Sequence, residues 1–187
     1  TLAGWDIAPR WEPARIVTGD FYDFVPQDDG GLGVVIADVS DKGAPAAIFM
    51  AVSRSLLRAS VMAYPQPVEA MDHANALIAA DADSSMFVTA FLLALEPQGG
   101  RLDFVNAGHN PPLVVRADGA VEWLGQDAHG PALGIVLEYR WPQRSVALAP
   151  GDTLVLYTDG VTEAINNRDE AFGETRLVEV VAAHRHL

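Results

Sequence analysis

The sequence has no cysteine, a single lysine (Lys42) and few aromatic residues, 8% of the chain. Without cysteine there is no disulfide, no thiolate chemistry and no Cys-based zinc site. Cations are also scarce: Lys+Arg number 12 against 25 Asp+Glu, a formal net charge of -13. That balance argues against nucleic acid, whose backbone attracts basic patches, and against an anionic membrane surface. No apolar run approaches the ~20 residues that a membrane helix needs. Thr1–Arg10 lacks the basic-then-apolar pattern of a signal peptide. No membrane contact and a cytoplasmic location are therefore expected. The chain starts without Met, which reads as a piece of something longer.

What is present suits one globular domain. The chain has 187 residues, 50% of them hydrophobic, enough for a sizeable core. The acidic surplus has a plain reading, solubility, and a sharper one, carboxylates gathered to hold cations. Net charge alone favours the plain one.

The element pattern is strand, strand, helix, helix, then mostly strands. Thr18–Val25 reads as a strand, with Val17 before it, although Asp and Gly are poor strand residues. Gln27–Gly31 reads as a hairpin turn into a second strand, Leu32–Val39. The continuous apolar run Leu32–Ala37 predicts cover on both faces. Pro45 opens a helix over Ala46–Ala63, with Ile48, Val52, Leu56 and Val61 among its apolar positions and Pro65 and Pro67 ending it. A second helix runs from Val68 to about Ala82, with Met71, Ala74, Asn75 and Ile78 at helical spacing. Strands follow at Met86–Leu95, Arg101–Ala107, Pro112–Arg116, Val121–Trp123, Arg144–Leu148 and Thr153–Thr158. A last helix, about Glu174–His184, has Leu177, Val180 and Val181 on one face. A helix pair inserted into a strand meander does not fit a doubly wound parallel sheet. It fits an α+β layered sandwich of antiparallel sheets covered by helices.

Three motifs share one pattern, an apolar run with Asp at or near its end and Gly close by. They are Gly19-Asp20 with Asp23, Ala37-Asp38-Val39-Ser40-Asp41-Lys42-Gly43, and Tyr157-Thr158-Asp159-Gly160. A carboxylate beside a buried strand is costly without a partner. Few cations lie near these motifs in sequence, so a bound cation is the other compensation. Oxygen ligands without cysteine favour Mg²⁺ or Mn²⁺. Carboxylates converging from different strands could hold two such ions, a device that hydrolyses phosphate esters. Asp159-Gly160 alone reads better as a turn; the three motifs together weaken the turn reading without removing it.

The strings G-D-F-Y-D-F, A-D-V-S-D-K-G-A-P-A-A-I-F-M-A, M-F-V-T-A-F, N-A-G-H-N-P-P-L and L-Y-T-D-G-V-T-E-A occur in order. Together they resemble the SpoIIE/RsbU branch of the metal-dependent PPM, phosphatase 2C-like, serine/threonine phosphatases. The resemblance covers about Trp11 to Leu177. It implies an αββα four-layer sandwich. It implies hydrolysis of phosphoserine or phosphothreonine on a protein, with two Mn²⁺ or Mg²⁺ ions and a metal-activated water. It implies a phosphorylated STAS-domain anti-anti-sigma factor as substrate, a role in bacterial stress or developmental signalling, and an upstream sensor domain in the full-length protein. A homodimer stays open.

Residue by residue, the resemblance makes Asp20 the first metal aspartate and Asp38 the aspartate bridging both ions. The Val39 backbone carbonyl completes one shell, and Asp159 is the late-strand metal aspartate. Gly160 allows close backbone approach. Asp23 matches a family acid, placed by our reading in a second shell. The family pattern differs at Thr18 and Asp41, both glycine there; Asp tolerates left-handed backbone better than most residues. The family also continues into a further helix and a strand carrying another metal aspartate, so one phosphatase domain over 1–187 lacking that end, with weakened metal binding, is expected. The alternative reading is a non-catalytic binding module of the same fold with an incomplete metal site.

Other residues divide between roles. His109 is a candidate general acid, but a backbone-bonded turn histidine is the better expectation. Lys42 is equally a phosphate contact or a tether for a carboxylate. Thr89, Met50 and Met62 read as core packing.

Overall fold

In a computed structural model, residues 2–12, 18–80 and 86–184 are described. Val17 of the first strand outline, the Ala82 helix end and the last three positions lie outside them. Strand β1 (Phe21–Pro26) pairs antiparallel with β2 (Leu32–Val39), in register from Phe21↔Ala37 to Pro26↔Leu32. The turn between them closes through the Gln27 amide on the Gly31 carbonyl at 2.9 Å, with Gly30 at φ 86°. The expected hairpin therefore forms. Its first strand begins at Phe21 rather than Thr18.

Helix α1 (Ala44–Ala63) and helix α2 (Pro67–Ala80) follow, then β3 (Val88–Glu96) and β4 (Arg101–Ala107). Pro67 opens α2 instead of merely ending α1, since the first helical turn has amides to spare. Next come β5 (Leu113–Val115), β6 (Val121–Trp123), the short β7 (His129–Gly130), β8 (Arg144–Ala147) and β9 (Thr153–Val155). A single turn of helix, α3 (Asp159–Thr162), precedes α4 (Gly173–His184). The sequence pattern did not predict β7 or α3; both are too short to carry a period. Strand β9 stops at Val155, short of the expected Thr158. Its partner β5 pairs Leu113 with Val155, so the next rung would fall on Pro112, which has no amide to give.

Two sheets result, β1-β2-β3-β4-β7 with β8 also on β4, and β6-β5-β9. Alternation along the strands sorts residues to the two faces of the larger sheet. Val35, Ala37, Val39, Val88 and Leu92 pack with Leu57, Val61, Met71 and Ile78 of α1 and α2. On the other face Phe91, Leu93 and Phe104 meet Val114 of the smaller sheet, with Val34, Ile36 and Leu154 alongside. Leu113, Val115 and Tyr157 then pack with Leu177 of α4. The layers are helix, sheet, sheet, helix, the αββα sandwich expected.

Helix α1 leaves some of its apolar positions outside the core. Its buried residues are Ala46, Ser53, Leu57, Ser60 and Val61, while Ile48 is 69% and Met62 68% exposed. The small Ala and Ser positions let the helix sit close to the sheet, so its larger apolar residues face outward. In α4 likewise, Leu177 is buried but Val180 is exposed. With 20 residues and an 18-residue window of mean hydropathy 1.4, α1 is long and apolar enough to cross a membrane, by length and composition alone. That corrects the reading of run lengths; Arg54 and Arg58 interrupt the run without lowering its mean much. Both arginines face back toward β1.

Candidate metal centre

The register of the β1–β2 hairpin builds the site. One rung beyond Phe21↔Ala37 come Asp20 and Asp38, opposite one another on the same face. That face is the inter-sheet one, since Phe24 of β1 and Val34 and Ile36 of β2 pack there. Asp159 arrives from the smaller sheet, four residues past the end of β9 as the first residue of α3. Each aspartate offers a carboxylate oxygen, and the three oxygens lie within 4.8 Å of one another. The structure thus brings together the three acids that the resemblance assigns to metal.

Their electrostatics call for a cation. Burial raises the pKa of Asp38 from 3.8 to about 7, and the charges of Asp20 and Asp159 push the same way. Burial also raises Asp20, with the Thr158 side chain opposing and Asp159 reinforcing the shift. One oxygen of Asp20, Oδ1, is buried without a hydrogen-bond partner. A buried acceptor without a donor is expensive. None of the ion pairs among the described residues involves these three acids. An all-oxygen, triply anionic set fits Mn²⁺ or Mg²⁺.

Two backbone features complete the cradle. A Cβ on Gly19 would lie 2.6 Å from the Val39 carbonyl oxygen and 2.8 Å from Asp38 Oδ1. Gly19 therefore leaves open the space that the Val39 carbonyl and the Asp38 carboxylate share. The sequence pattern assigns Gly19 no role of its own; its place just before the first aspartate is the signal that points to it. Asp41 holds φ 82°, and its Oδ1 accepts the Lys42 amide at 2.7 Å. The left-handed turn survives the exchange of glycine for aspartate. Gly160 is less crowded: an added Cβ would sit 3.6 Å from Thr158 Oγ1 and 3.9 Å from Asp20 Oδ2, ordinary contact distances.

Asp23 goes elsewhere. It lies three residues from Asp20, an odd step, so it faces the helices with Phe21 and Val25. Its Oδ1 meets Arg58 Nη1 at 2.8 Å and Arg54 Nη2 at 3.3 Å. The expected second-shell contact with the other acids is replaced by an ion pair to α1. Cations distant in sequence supply what the local sequence lacks.

Lys42 is exposed, and its side chain forms no ion pair among the described residues. The tether reading thus has no contact behind it. His109 is 5% exposed. Its amide donates to Asn106 Oδ1 at 2.8 Å and its carbonyl accepts from Asn106 Nδ2 at 3.0 Å. Its Nδ1 lies 3.0 Å from Thr89 Oγ1, while Nε2 points toward the Tyr157 main chain without regular hydrogen-bond geometry. Burial lowers its pKa to about 4, so the ring is neutral near pH 7 and has no proton to spare as a general acid. Thr89, read as packing, is instead a hydrogen-bonding residue; a lone threonine in an apolar strand gives little warning of that.

The sequence model of the family described as Stage II sporulation protein E (SpoIIE) matches residues 28–187. Protein IcfG of Synechocystis sp. is 35% identical over 210 residues, covering 98% of this chain and 33% of IcfG. The phosphoserine phosphatase RsbU of Bacillus subtilis is 31% identical over 158 residues, covering 84% of this chain and 47% of RsbU. The chain spans a third to about half the length of these curated relatives. The crystal structure of the RsbU and RsbW domains of Rv1364c from Mycobacterium tuberculosis matches with a TM-score of 0.78 at 29% identity, covering 93% of this chain and 48% of that one. With its hairpin acids, its αββα layers and these relatives, the chain belongs to the SpoIIE family, within the SpoIIE/RsbU branch of the PPM phosphatases.

Proposed function

We propose that this domain is a metal-dependent protein phosphatase that removes phosphate from phosphoserine or phosphothreonine. The observation that carries the reading is the convergence of Asp20, Asp38 and Asp159 within 4.8 Å. Asp20, Asp38, Asp159 and the Val39 carbonyl would hold two Mn²⁺ or Mg²⁺ ions. When bound, such ions supply positive charge for phosphoryl oxygens and make water a nucleophile near neutral pH.

The chain's own residues do the rest by position. Asp38 lies against both other acids and, on the family resemblance, would be the aspartate that both ions share. Gly19 keeps the space beside Asp38 clear of side chains. Lys42, exposed and four residues past Asp38, is free to meet a phosphate. His109 is sealed away from any leaving oxygen, so the serine or threonine alkoxide takes its proton from solvent.

The substrate in this reading is a phosphorylated STAS-domain anti-anti-sigma factor, with an upstream sensor domain controlling the reaction in bacterial signalling. RsbU, a phosphoserine phosphatase by name, supports the chemistry. The test is release of inorganic phosphate from a phosphorylated STAS protein with Mn²⁺. Parent turnover with at least a 100-fold loss in Asp38→Asn is expected, the size of effect seen when a group that stabilises transition-state charge is removed. Undiminished turnover by Asp38→Asn would remove Asp38 from the site. Mn²⁺ binding without turnover on any phosphoprotein would favour the non-catalytic module.

A further inference from the structure

The N-A-G-H-N-P-P motif is left without a job by the three acids. It does not reach the carboxylates, yet its Asn106 and His109 side chains are among the few buried polar ones, at 1% and 5% exposure. Asn106 spends both ends of its amide on the His109 backbone, one bond donated and one accepted. That clamp fixes the imidazole in a single place. The place is against Thr89, at 3.0 Å from Nδ1 to Oγ1.

Thr89 is the register partner of Asp38 across β2 and β3. Its hydroxyl donates to the Asp38 carbonyl oxygen at 3.3 Å. A hydroxyl has one proton to give and lone pairs to accept with. If it gives the proton to Asp38, Nδ1 must be the protonated nitrogen that donates to it. The Asp38 carbonyl and the Val39 amide belong to one peptide plane. The other end of that plane is held too, by the Val39 amide on the Gly19 carbonyl at 3.3 Å.

We propose that Thr89 and His109 are positioning residues of the metal centre. The imidazole orients the Thr89 hydroxyl, and the hydroxyl fixes the Asp38–Val39 peptide so that the Asp38 carboxylate and the Val39 carbonyl face one divalent cation. This rests on the metal reading above. It gives the N-A-G-H motif a function two contacts away from the cation.

The test is Mn²⁺ binding by isothermal titration calorimetry, which needs no substrate. Thr89→Val removes the hydroxyl at nearly constant volume and suits a strand; Thr89→Ala is a second hydroxyl-free variant, and Thr89→Ser restores the hydroxyl. Outer partners of metal ligands typically change affinity by about 10–100-fold. We expect Thr89→Val and Thr89→Ala to bind Mn²⁺ about tenfold more weakly and Thr89→Ser to stay within about twofold of the parent. Nitrogen NMR of the His109 ring should show a protonated Nδ1 whose signal shifts in Thr89→Val and returns in Thr89→Ser. A merely structural threonine would move the melting temperature and the ring signal but leave the Mn²⁺ affinity alone. Parent-like affinity in both hydroxyl-free variants overturns the proposal while leaving the metal centre standing. A parent that binds no Mn²⁺ overturns the metal reading, and the positioning role with it.

Discussion

Among the described residues, Asp38 carries the strongest electrostatic conflict. It lies half-buried, opposite Asp20, with Asp159 beside both. In metal-free protein its folded pKa, about 7, lies above the ordinary 3.8. Folding therefore favours the protonated acid. Stability from this group is greatest below the ordinary value and falls as pH rises through the interval up to about 7. Asp20 is shifted in the same direction. In EDTA, Asp38→Asn should melt higher than the parent at pH 7.5 and by a smaller margin at pH 5. An equal margin at both pH values would show that Asp38 is not strained by its neighbours. Gly19 offers a second residue-scale prediction. Gly19→Ala puts a methyl 2.6 Å from the Val39 carbonyl oxygen, closer than any real contact. Calorimetry should find Mn²⁺ binding about tenfold weaker or more, as for other groups that orient metal ligands.

Strand β1 is the element that divides two jobs between its faces. Asp20 leads to the inter-sheet face and Asp23 to the helix face, because three residues is an odd step along a strand. Asp23 is nearly buried, with 7% of its side chain exposed, while Arg58 keeps 42% and Arg54 50%. The pair ties α1 to the hairpin that carries Asp20 and Asp38. Truncating the better-placed arginine leaves the buried carboxylate with the longer Arg54 contact and the Phe24 amide. Arg58→Ala should cost about 1–3 kcal/mol in urea unfolding, at the low end because Arg54 remains and solvent screens the pair. Mn²⁺ affinity should hardly change. A large loss of affinity with little loss of stability would return Asp23 to the metal centre.

At the scale of the whole molecule the carboxylate cluster is a joint between two sheets. Asp20 and Asp38 belong to the larger sheet, and Asp159 follows the smaller one. The inter-sheet layer of Phe91, Leu93, Phe104 and Val114 holds the sheets together without a cation, but three anions meet at one end of it. A cation there binds the folded state and not the unfolded chain. Mn²⁺ at about 100 times its Kd should therefore add about 2.7 kcal/mol to stability by mass action. Thermal unfolding at graded Mn²⁺ should show the rise, EDTA should reverse it, and Asp159→Asn should blunt it. A melting temperature indifferent to Mn²⁺ would place no cation at the joint.

The sequence by itself determined the hairpin, the helix pair and most of the strands, and its resemblance to a family singled out the three acids. Those features are local: an Asp-Gly turn, a period of two or of 3.6, an aspartate at the end of an apolar run. Even the opposite facing of Asp20 and Asp23 was implicit in their spacing, although the strand had to start at the right rung to use it. Only the tertiary structure decided where the acids go. Asp159 reaches Asp38 because the smaller sheet packs on the larger, which no local period encodes. Asp23 finds Arg54 and Arg58 because α1 folds back over β1. Ile48 and Met62 face outward because small residues give α1 its closest approach to the sheet. His109 becomes a buried neutral ring against Thr89 because the end of β4 comes beside the start of β3. Each of these outcomes depends on contacts between residues far apart in the chain.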